Sequence, residues 1–403
     1  MKTSTNQFDI VIIGGSFSGL ISALSIAKSC PHFKIGLLEK SDIINQDKPR
    51  DGRAFAISRS SLKLFETIDI LEEIKPVSGI ISDIKIADGN SPFYLNFHSD
   101  DSLEKGAESE SNNFFGIVTE SFCVHKALRN KTILEKNIEI ICPNFYQDII
   151  FENNQAEITL DNQRKITAKL VLACDGKFSN LRTKFNIKTF QKSYQQTALV
   201  FNISHSQPHQ NIALEKFLPD GPFAVLPMKN PLHSSIVWTL KSKNAEAILL
   251  MDQENFSHQL NKSLNGYLGD TQLIDKAFSY DLNLVAADKF YYQRMVLVSD
   301  AAHGIHPIAG QGLNLGISDI KALTSLIKEY DDCGLDIGGE TLLQKYSKTR
   351  KFETYKMIVA TDALNGLFSN NFYILKTLRR TGIGLVEKVS ILKNFFIKNA
   401  GGK

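Results

Sequence analysis

The first 40 residues of the chain alternate between apolar runs and one helical pattern. The run from Asp9 to Ile13 is typical of a buried strand, and a second run from Lys34 to Leu38 predicts another. Between them, apolar residues recur at helical spacing: Leu20, Ala23, Leu24 and Ala27. A glycine-rich turn separates the first strand from the helix, so the pattern predicts a strand, helix, strand unit of about 30 residues.

The pattern changes twice further along the chain. Residues 98–113, "HSDDSLEKGAESESNN", have no apolar periodicity and predict an exposed loop, with an acidic docking patch as the alternative. From about 186 to 284, short apolar runs separated by turn residues predict a separate sheet. "RMVLVSDAAH" then predicts another buried strand, and helical patterns follow from about residue 340. The sequence contains no internal repeat.

Length and composition are those of a folded protein with more than one layer or domain. The chain has 403 residues, of which 43% are hydrophobic and 22% charged, and its net charge is +3. This small charge does not favour nucleic-acid binding, which requires clustered basic residues.

The cysteines and the apolar runs exclude several further classes. The five cysteines are scattered without a C-x-x-C pair, which predicts reduced cytoplasmic thiols and no metal site. The N-terminus leads into a strand too soon for a signal peptide. No apolar run approaches the roughly 20 residues of a membrane span, so any membrane contact is expected to be peripheral.

The glycine turn resembles the dinucleotide-binding fingerprint G-x-G-x-x-G. Its sequence is Gly14-Gly15-Ser16-Phe17-Ser18-Gly19, with serine at the second glycine position. Glu39 lies 20 residues after Gly19 at the end of the second strand, where an acid accepts hydrogen bonds from ribose hydroxyls. A glycine turn without a ligand is the alternative, but the strand, the helix and the acid supply the context that the motif requires.

Three later blocks make a family resemblance specific. They are "DGRAFAIS" (51–58), "LVLACDGKFSNLR" (170–182) and "LVSDAAHGIHPIAGQGLNLGISD" (297–319). Together with the glycine loop, and in this order, they resemble the flavin-dependent aromatic hydroxylases of the para-hydroxybenzoate hydroxylase fold. Residues 306–319 match the pattern of the ubiquinone-biosynthesis hydroxylases within that group. The similarity continues through "HQNIALEKFLPDGPFAVLPM" (209–228), Trp238 and "TDALNGLFS" (361–369), and so covers nearly the whole chain.

The resemblance implies a set of FAD-binding residues. Gly14, Gly15, Ser16 and Gly19 would hold the pyrophosphate, with Glu39, and Lys40 beside it, at the ribose. Arg53 would lie near the pyrophosphate or the reducing nucleotide, and Asp300 would bond the ribityl chain. The segment from Pro307 to Asn314 would line the isoalloxazine ring, through Pro307, Gly310, Gln311, Gly312, Leu313 and Asn314. The block from Asp175 to Arg182 is a shared nucleotide-related motif. Ser16 and Ser299 stand where the family has glycine.

The implied fold is α/β, with a Rossmann-like FAD-binding domain, an inserted mainly β substrate domain and C-terminal helices. The FAD-binding domain would comprise residues 1–80, 118–185 and 285–340. The substrate domain would comprise 81–117, which includes the exposed loop, and the sheet at 186–284. Residues 341–403 would form the C-terminal helical region.

The implied activity is hydroxylation of the aromatic ring of a polyprenylated phenol in ubiquinone biosynthesis, through a flavin hydroperoxide. FAD would be the cofactor, O2 a substrate and NAD(P)H the transient reductant. Two alternatives are a hydroxylase of a soluble aromatic compound and a non-catalytic flavoprotein-like subunit of a quinone-synthesis complex.

The flavin carries the chemistry, so no catalytic side chain is assigned. His303 and His306 are interpreted as structural hydrogen-bonding residues rather than catalytic ones, and Trp238 as core packing. A helix beginning just after Gly312 would direct its free N–H groups at the flavin.

The C-terminal stretch, 370–403, is basic and amphipathic. It is consistent with contact to an anionic membrane surface or with a helix packed on the FAD domain, and a polyprenylated substrate favours the membrane. The expected location is therefore cytoplasmic, peripheral at the inner face of the membrane, either within a quinone-synthesis complex or as a homo-oligomer.

Overall fold

The computed structural model describes residues 6–47, 50–89, 94–99, 114–305 and 310–368, with side chains to residue 363. Its strands are β1 (Asn6–Ile13), β2 (Ile35–Leu38), β3 (Ala54–Ser58), β4 (Gly79–Ile81), β5 (Asp83–Asp88), β6 (Tyr94–His98), β7 (Gly116–Glu120), β8 (Ile138–Ile141), β9 (Tyr146–Phe151), β10 (Ala156–Leu160), β11 (Lys165–Ala173), β12 (Thr189–His205), β13 (Ile212–Leu218), β14 (Gly221–Pro227), β15 (His233–Lys241), β16 (Thr271–Leu273), β17 (Phe278–Ala287), β18 (Tyr291–Tyr292), β19 (Met295–Leu297) and β20 (His303–Gly304). Its helices are α1 (Phe17–Ser29), α2 (Arg59–Thr67), α3 (Leu71–Ile74), α4 (Ser121–Leu134), α5 (Asn180–Lys184), α6 (Ser242–Leu249), α7 (Gln253–Leu264), α8 (Gln311–Asp332) and α9 (Glu340–Phe368).

The first sheet has a parallel centre in the order β19-β11-β1-β2-β8. Strands β9, β10 and β18 extend it in antiparallel fashion. The run from Ile10 to Ile13 is buried, with α1 packed on β1 and with α4 and α8 packed on α1. Strands buried on both faces carry apolar side chains at successive positions, as this run does. The carboxyl ends of the parallel strands therefore meet at one edge, which is where ligands bind in such sheets.

The second sheet follows the order β20-β17-β12-β15-β14-β13-β5-β6, with β16 paired to β12. Its pairs are antiparallel except for β13 with β5, which places the segment after residue 81 beside the sheet that the sequence predicts at 186–284. One face packs on α6 and α7 through Leu199, Phe201 and Phe256. The sequence-based prediction omitted these two helices, although Phe256, Leu260 and Leu264 recur at helical spacing.

A small third sheet, β3-β7-β4, and the helices α8 and α9 complete the fold. The predicted α/β class, with a Rossmann-like part, a mainly β part and helices at the end, is confirmed for the described residues. Of the predicted exposed loop, residues 100–113 lie outside the described residues, and so does the basic stretch 370–403. No helix in the described part of the chain combines the length and the apolar character that crossing a membrane requires.

Candidate functional site

Four loops meet at the carboxyl edge of the first sheet. Gly14 follows β1, Glu39 follows β2, Asp175 lies beyond β11, and Asp300 lies beyond β19. Together with the start of α8 they form one wall, hereafter the loop wall, of a cavity of about 1300 Å³. The opposite wall belongs to the second sheet. Single-ligand pockets are typically about 300–1,000 Å³, so this cavity is large enough for a dinucleotide and a second molecule.

Most of the predicted site residues line this one cavity. They are Gly14, Ser16, Glu39, Lys40, Arg53, Asp300, Gly310, Gln311, Gly312, Leu313 and Asn314. Gly15 and Gly19 lie directly behind the lining, and Pro307 and His306 fall outside the described residues. The fold thus brings together residues that are almost 300 positions apart in the sequence.

The glycine loop is shaped by close backbone contacts. Gly14 has φ +109°, and a Cβ there would collide with the carbonyl of Cys174, while a Cβ at Gly19 would overlap the carbonyl oxygen of Gly14. Only glycine tolerates both positions. The loop holds the N-terminus of α1 against the cavity, where N–H groups of the first turn and the helix dipole favour an anion such as a pyrophosphate.

Ser16 fits the loop without strain. It is the N-cap of α1 with φ −89°, a conformation open to any residue, and its side chain makes no capping hydrogen bond. Ser16 is exposed and lines the cavity, so its hydroxyl group can donate to a phosphate oxygen. The departure from glycine therefore leaves the backbone of the loop intact.

Glu39 braces the glycine loop. Its two carboxylate oxygens accept hydrogen bonds from the backbone N–H groups of Gly15 (2.5 Å) and Ser41 (2.9 Å). Each oxygen has a second lone pair, so the carboxylate can still accept a bond from a hydroxyl group in the cavity. Lys40 is exposed beside it and lines the same cavity.

Arg53 is held in place by partners that the sequence did not indicate. Its guanidinium donates to Asp51 Oδ2 at 2.9 and 2.6 Å and lies 5.5 Å from the centre of the Tyr280 ring. Burial disfavours the Asp51 anion, but hydrogen bonds from Arg53 and Ser121 outweigh it, so the pKa of Asp51 is lowered. The Tyr280 hydroxyl donates to the carbonyl of Asp51 (2.8 Å), which ties this pair to the second sheet.

Two carboxylates in the loop wall have unused acceptor oxygens. Asp175 Oδ2 accepts from Leu181 N, whereas its buried Oδ1 has no partner among the described residues. Asp300 lines the cavity and its side chain is accessible from it. Desolvation by the surrounding protein raises the pKa of Asp300, although His303, Lys177 and Arg53 oppose the shift. Buried acceptors normally have partners, so both carboxylates fit a ligand rich in hydroxyl groups.

A buried ionic cluster supports the loop that carries Asp300. Asp319 accepts hydrogen bonds from Ser299 N (3.1 Å), His303 Nε2 (2.5 Å) and Arg350 Nε (2.6 Å). Burial raises the pKa of Asp319, but the charges of His303 and Arg350 outweigh it and lower the pKa overall. His303 thus makes a structural contact, as the sequence-based interpretation has it, while the roles of Asp319 and Arg350 were missed because their partners are distant in the chain.

The helix that borders the cavity begins two residues earlier than predicted. Helix α8 starts at Gln311, after Gly310 at φ +63°, and not after Gly312. A Cβ at Gly312 would meet no atom within 4 Å, so the backbone there faces open space in the cavity. The Asn314 side chain is used within the protein, with Oδ1 accepting from Ser58 N (3.0 Å) and Nδ2 donating to the Ala56 carbonyl (2.8 Å).

The opposite wall, hereafter the sheet wall, is a row of side chains across four strands: Val200 of β12, Val237 of β15, Ala224 of β14 and Glu215 of β13. The lining residues of these four strands are apolar except for Glu215, whereas β17 of the same sheet contributes polar ones, Ser279, Tyr280, Asp281 and Asn283. Burial raises the pKa of the Glu215 carboxyl group to about 8. The sequence analysis did not single out Glu215, although alternation in "IALEKFL" places it on the same face as Ala213 and Phe217.

The features of the loop wall fit FAD. The free helix N-terminus suits a pyrophosphate, the unpartnered carboxylate oxygens suit ribityl and ribose hydroxyls, and the open backbone at Gly312 allows a flat ring to approach. No group of three or more His, Cys, Asp or Glu residues in the described part of the chain could hold a metal ion. All five cysteines are free.

Comparisons with known proteins show the family of the chain. The family model described as "FAD binding domain" matches residues 7–360. The ubiquinone hydroxylase UbiL of Rhodospirillum rubrum is 32% identical over 401 residues, covering 98% of this chain and 89% of that protein. The mitochondrial ubiquinone biosynthesis monooxygenase COQ6 of Dictyostelium discoideum is 27% identical over 458 residues, covering 99% and 92%.

Solved structures support the fold. The p-nitrophenol 4-monooxygenase PnpA of Pseudomonas putida superposes with a TM-score of 0.76 at 15% identity, over 99% of this chain and 100% of that one. PqsL of Pseudomonas aeruginosa, described as a probable FAD-dependent monooxygenase, gives 0.74 at 15% identity, over 91% and 97%.

Proposed function

The chain belongs to the FAD-binding-domain family and, within it, to the group of the ubiquinone hydroxylases, and from this premise we propose that it hydroxylates the aromatic ring of a polyprenylated phenol in ubiquinone biosynthesis. FAD is its cofactor, O2 and a phenol are its substrates, and NAD(P)H is the reductant. The observation that carries the proposal is the single cavity with two unlike walls, one suited to a dinucleotide and the other to an apolar ring.

The residues of the loop wall bind and orient the cofactor. The N–H groups at the start of α1, with the Ser16 hydroxyl, bind the pyrophosphate, and Glu39 accepts bonds from the ribose. Asp300, with Asp175 beside it, accepts bonds from the ribityl chain. Bound there and reduced by NAD(P)H, FAD supplies the oxygen activation.

The start of α8 and the sheet wall form the part of the cavity where the substrate is expected to bind. The N–H groups at Gln311 and Gly312 carry the positive end of the helix dipole, which favours negative charge next to the open backbone. The apolar side chains of Val200, Val237 and Ala224 exclude water and hold the phenol ring by contact.

Spectroscopy and product analysis test this function. The purified protein is expected to be yellow, to bleach with NADPH or NADH, and to convert a short-chain prenylphenol to its hydroxylated product with one oxygen atom from O2. A colourless protein that FAD does not stabilise would favour the non-catalytic alternative. Equal turnover of a phenol without the prenyl chain would favour the soluble-substrate alternative. In cells, deletion should cause an under-hydroxylated prenylphenol to accumulate, and unchanged ubiquinone would contradict the proposal.

The setting that we propose is the inner face of the cytoplasmic membrane. The substrate resides in the bilayer, and the basic stretch 370–403 carries seven Lys and Arg residues against one acid. Cosedimentation of the full chain with anionic vesicles, but not with neutral vesicles, is the expected result. Equal binding to both vesicle types, or to neither, would contradict electrostatic attachment. The same experiment with several basic residues of 370–403 changed to Gln is the control.

A further inference from the structure

Glu215 is the acidic residue of the sheet wall. It is 6% exposed and lies in one transverse row with Ala224 and Val237, with Ile86 as its neighbour on the other side. Its side chain lines the cavity together with Ala198, Val200 and Leu226. A carboxyl group is costly to bury in such surroundings unless something compensates it.

No described residue compensates this carboxyl group. It forms no hydrogen bond or ion pair with any residue that the structure describes, and burial alone accounts for its raised pKa. The neighbouring Lys216 is on the other face of β13, where its Nζ donates to the Ser263 carbonyl (2.6 Å). An acid without a protein partner in the wall of a cavity is a candidate for contact with a ligand.

Other charged groups line the cavity or lie on the elements next to β13, but none of them pairs with Glu215. Strand β14 carries no titratable side chain, and β5 carries Asp83, Lys85 and Asp88. Helix α9, which packs on β14, pairs Lys356 with Glu353. Arg53, Lys177 and Asp300 line the cavity from segments outside the second sheet, and Asp281 lines it from β17, where it accepts a hydrogen bond from Thr197 (2.9 Å). None of these groups contributes to the pKa shift of Glu215.

We propose that Glu215 binds the phenolic hydroxyl group of the substrate and accepts its proton during ring hydroxylation, an assignment that rests on the proposed function. In this step the phenolic O–H bond breaks and a new O–H bond forms on the Glu215 carboxylate. The electron pair remains on the phenolic oxygen and increases the electron density at the ring carbons ortho and para to it. After oxygen transfer, the ring carbon that gained the hydroxyl group loses its hydrogen as a proton to solvent, which restores the aromatic ring. The original phenolic oxygen then takes its proton back from Glu215, and Glu215 is again a carboxylate.

The surroundings of Glu215 suit this role. A phenol has a pKa of about 10, some six units above that of an ordinary glutamate. At a pKa of about 8, Glu215 is a much stronger base, and proton transfer to it is correspondingly less unfavourable. The apolar row on either side leaves the phenolic hydroxyl no competing partner within the wall, so one contact both orients the ring and activates it.

The test compares three variants of the full-length, FAD-loaded protein with 2-prenylphenol as the probe. E215Q keeps the shape and a hydrogen bond but cannot accept the proton, whereas E215L removes both. E246Q is the matched control, because Glu246 is exposed on α6, on the other side of the sheet. Substrate affinity is measured from the change in flavin absorbance, and hydroxylation is measured as product formed from pH 6 to pH 10.

In the wild type, hydroxylation is expected to rise with pH and to level off above about 8. E215Q should lose this rise and be slower by about 100-fold or more, with nearly unchanged affinity. E215L should also bind the probe about threefold to tenfold more weakly, the effect of one lost hydrogen bond. E246Q should match the wild type.

A purely structural role for Glu215 would leave the pH profile of folded E215Q equal to that of E246Q, and this result would overturn the assignment. E215Q is expected to fold, because it replaces a buried acid by a neutral side chain of the same shape. If the wild type hydroxylates no prenylphenol, the proposed function fails instead. The binding measurement would then decide on Glu215, because equal affinity of wild type and E215L would exclude the contact.

Discussion

The two walls of the cavity are built on different physical principles. The loop wall uses backbone: the tight turn at Gly14, the close approach at Gly19, and the N-termini of α1 and α8. The sheet wall uses side chains, with apolar groups at alternate positions of neighbouring strands and one acid. Backbone N–H groups suit an anionic group such as a pyrophosphate, whereas side chains of particular shape and charge select a particular substrate.

The largest expected effect is a loss of stability when the buried cluster around Asp319, which holds the loop of Asp300, is disrupted. Replacing Asp319 by Asn leaves the guanidinium of Arg350 without its buried counter-charge and should destabilise the protein by about 3–5 kcal/mol. Because the pKa of Asp319 is lowered by folding, its contribution is complete at neutral pH and is lost as pH falls through the lowered value. Denaturant unfolding at pH 7 and near pH 3 should show the difference shrink.

Asp332 provides the control for this substitution. It is 59% exposed and paired only with Lys328 one helical turn away, so Asp332→Asn should change stability by less than about 0.5 kcal/mol. Equal effects of the two substitutions would show that the buried cluster does not support the wall.

Substitutions at two glycines distinguish the stability of the loop wall from its contact with the cofactor. Gly19→Ala should lower both stability and FAD affinity, the latter by about 100-fold, because the new methyl group overlaps the carbonyl oxygen of Gly14. Gly312→Ala should keep or raise stability by up to about 1 kcal/mol, because alanine favours the helix and meets no atom there.

The added methyl group at Gly312 nevertheless projects into the cavity, so FAD affinity or the flavin spectrum should change without any loss of stability. Thermal unfolding and FAD titration of both variants provide the comparison. Unchanged flavin properties in Gly312→Ala would contradict the proposed position of the ring next to α8.

A substitution in the sheet wall should leave the affinity for FAD unchanged. Ala224 faces the cavity directly opposite Glu215 on the next strand, so Ala224→Leu narrows the space for the substrate. The affinity for 2-prenylphenol should fall by about tenfold, or about 1.4 kcal/mol, while FAD affinity is unchanged. Equal loss of both affinities would mean that the two walls do not divide the ligands as proposed.

The smallest expected effect is a difference in stability between glycine variants of Ser16 and Ser299, the two serines that stand where the family has glycine. Ser299 has φ +56°, so Ser299→Gly should relieve strain and stabilise the protein by about 1 kcal/mol. Ser16 has φ −89°, so Ser16→Gly relieves nothing and should be neutral or slightly destabilising through the greater freedom of the unfolded chain. Melting temperatures that move together would contradict this difference in backbone strain.

Local sequence determined the parts of the site that depend on neighbouring residues. The apolar run of β1, the glycine turn, α1 and the acid at position 39 form one continuous unit whose hydrogen bonds are short-range or lie between adjacent strands, so periodicity and spacing were enough to predict it. The later motifs, through their similarity to a known family, indicated the fold, FAD and the class of reaction.

Only the tertiary structure decided which distant residues meet. The contact of the local Arg53–Asp51 pair with Tyr280, and the pairing of Asp319 with His303 and Arg350, join segments that no periodicity relates. The same holds for Glu215, which is one acid in an ordinary alternating strand until the sheet order places Ala224 and Val237 beside it and the cavity in front of it. A sequence pattern reports which face of a strand a side chain occupies, whereas strand order and packing determine what that face meets.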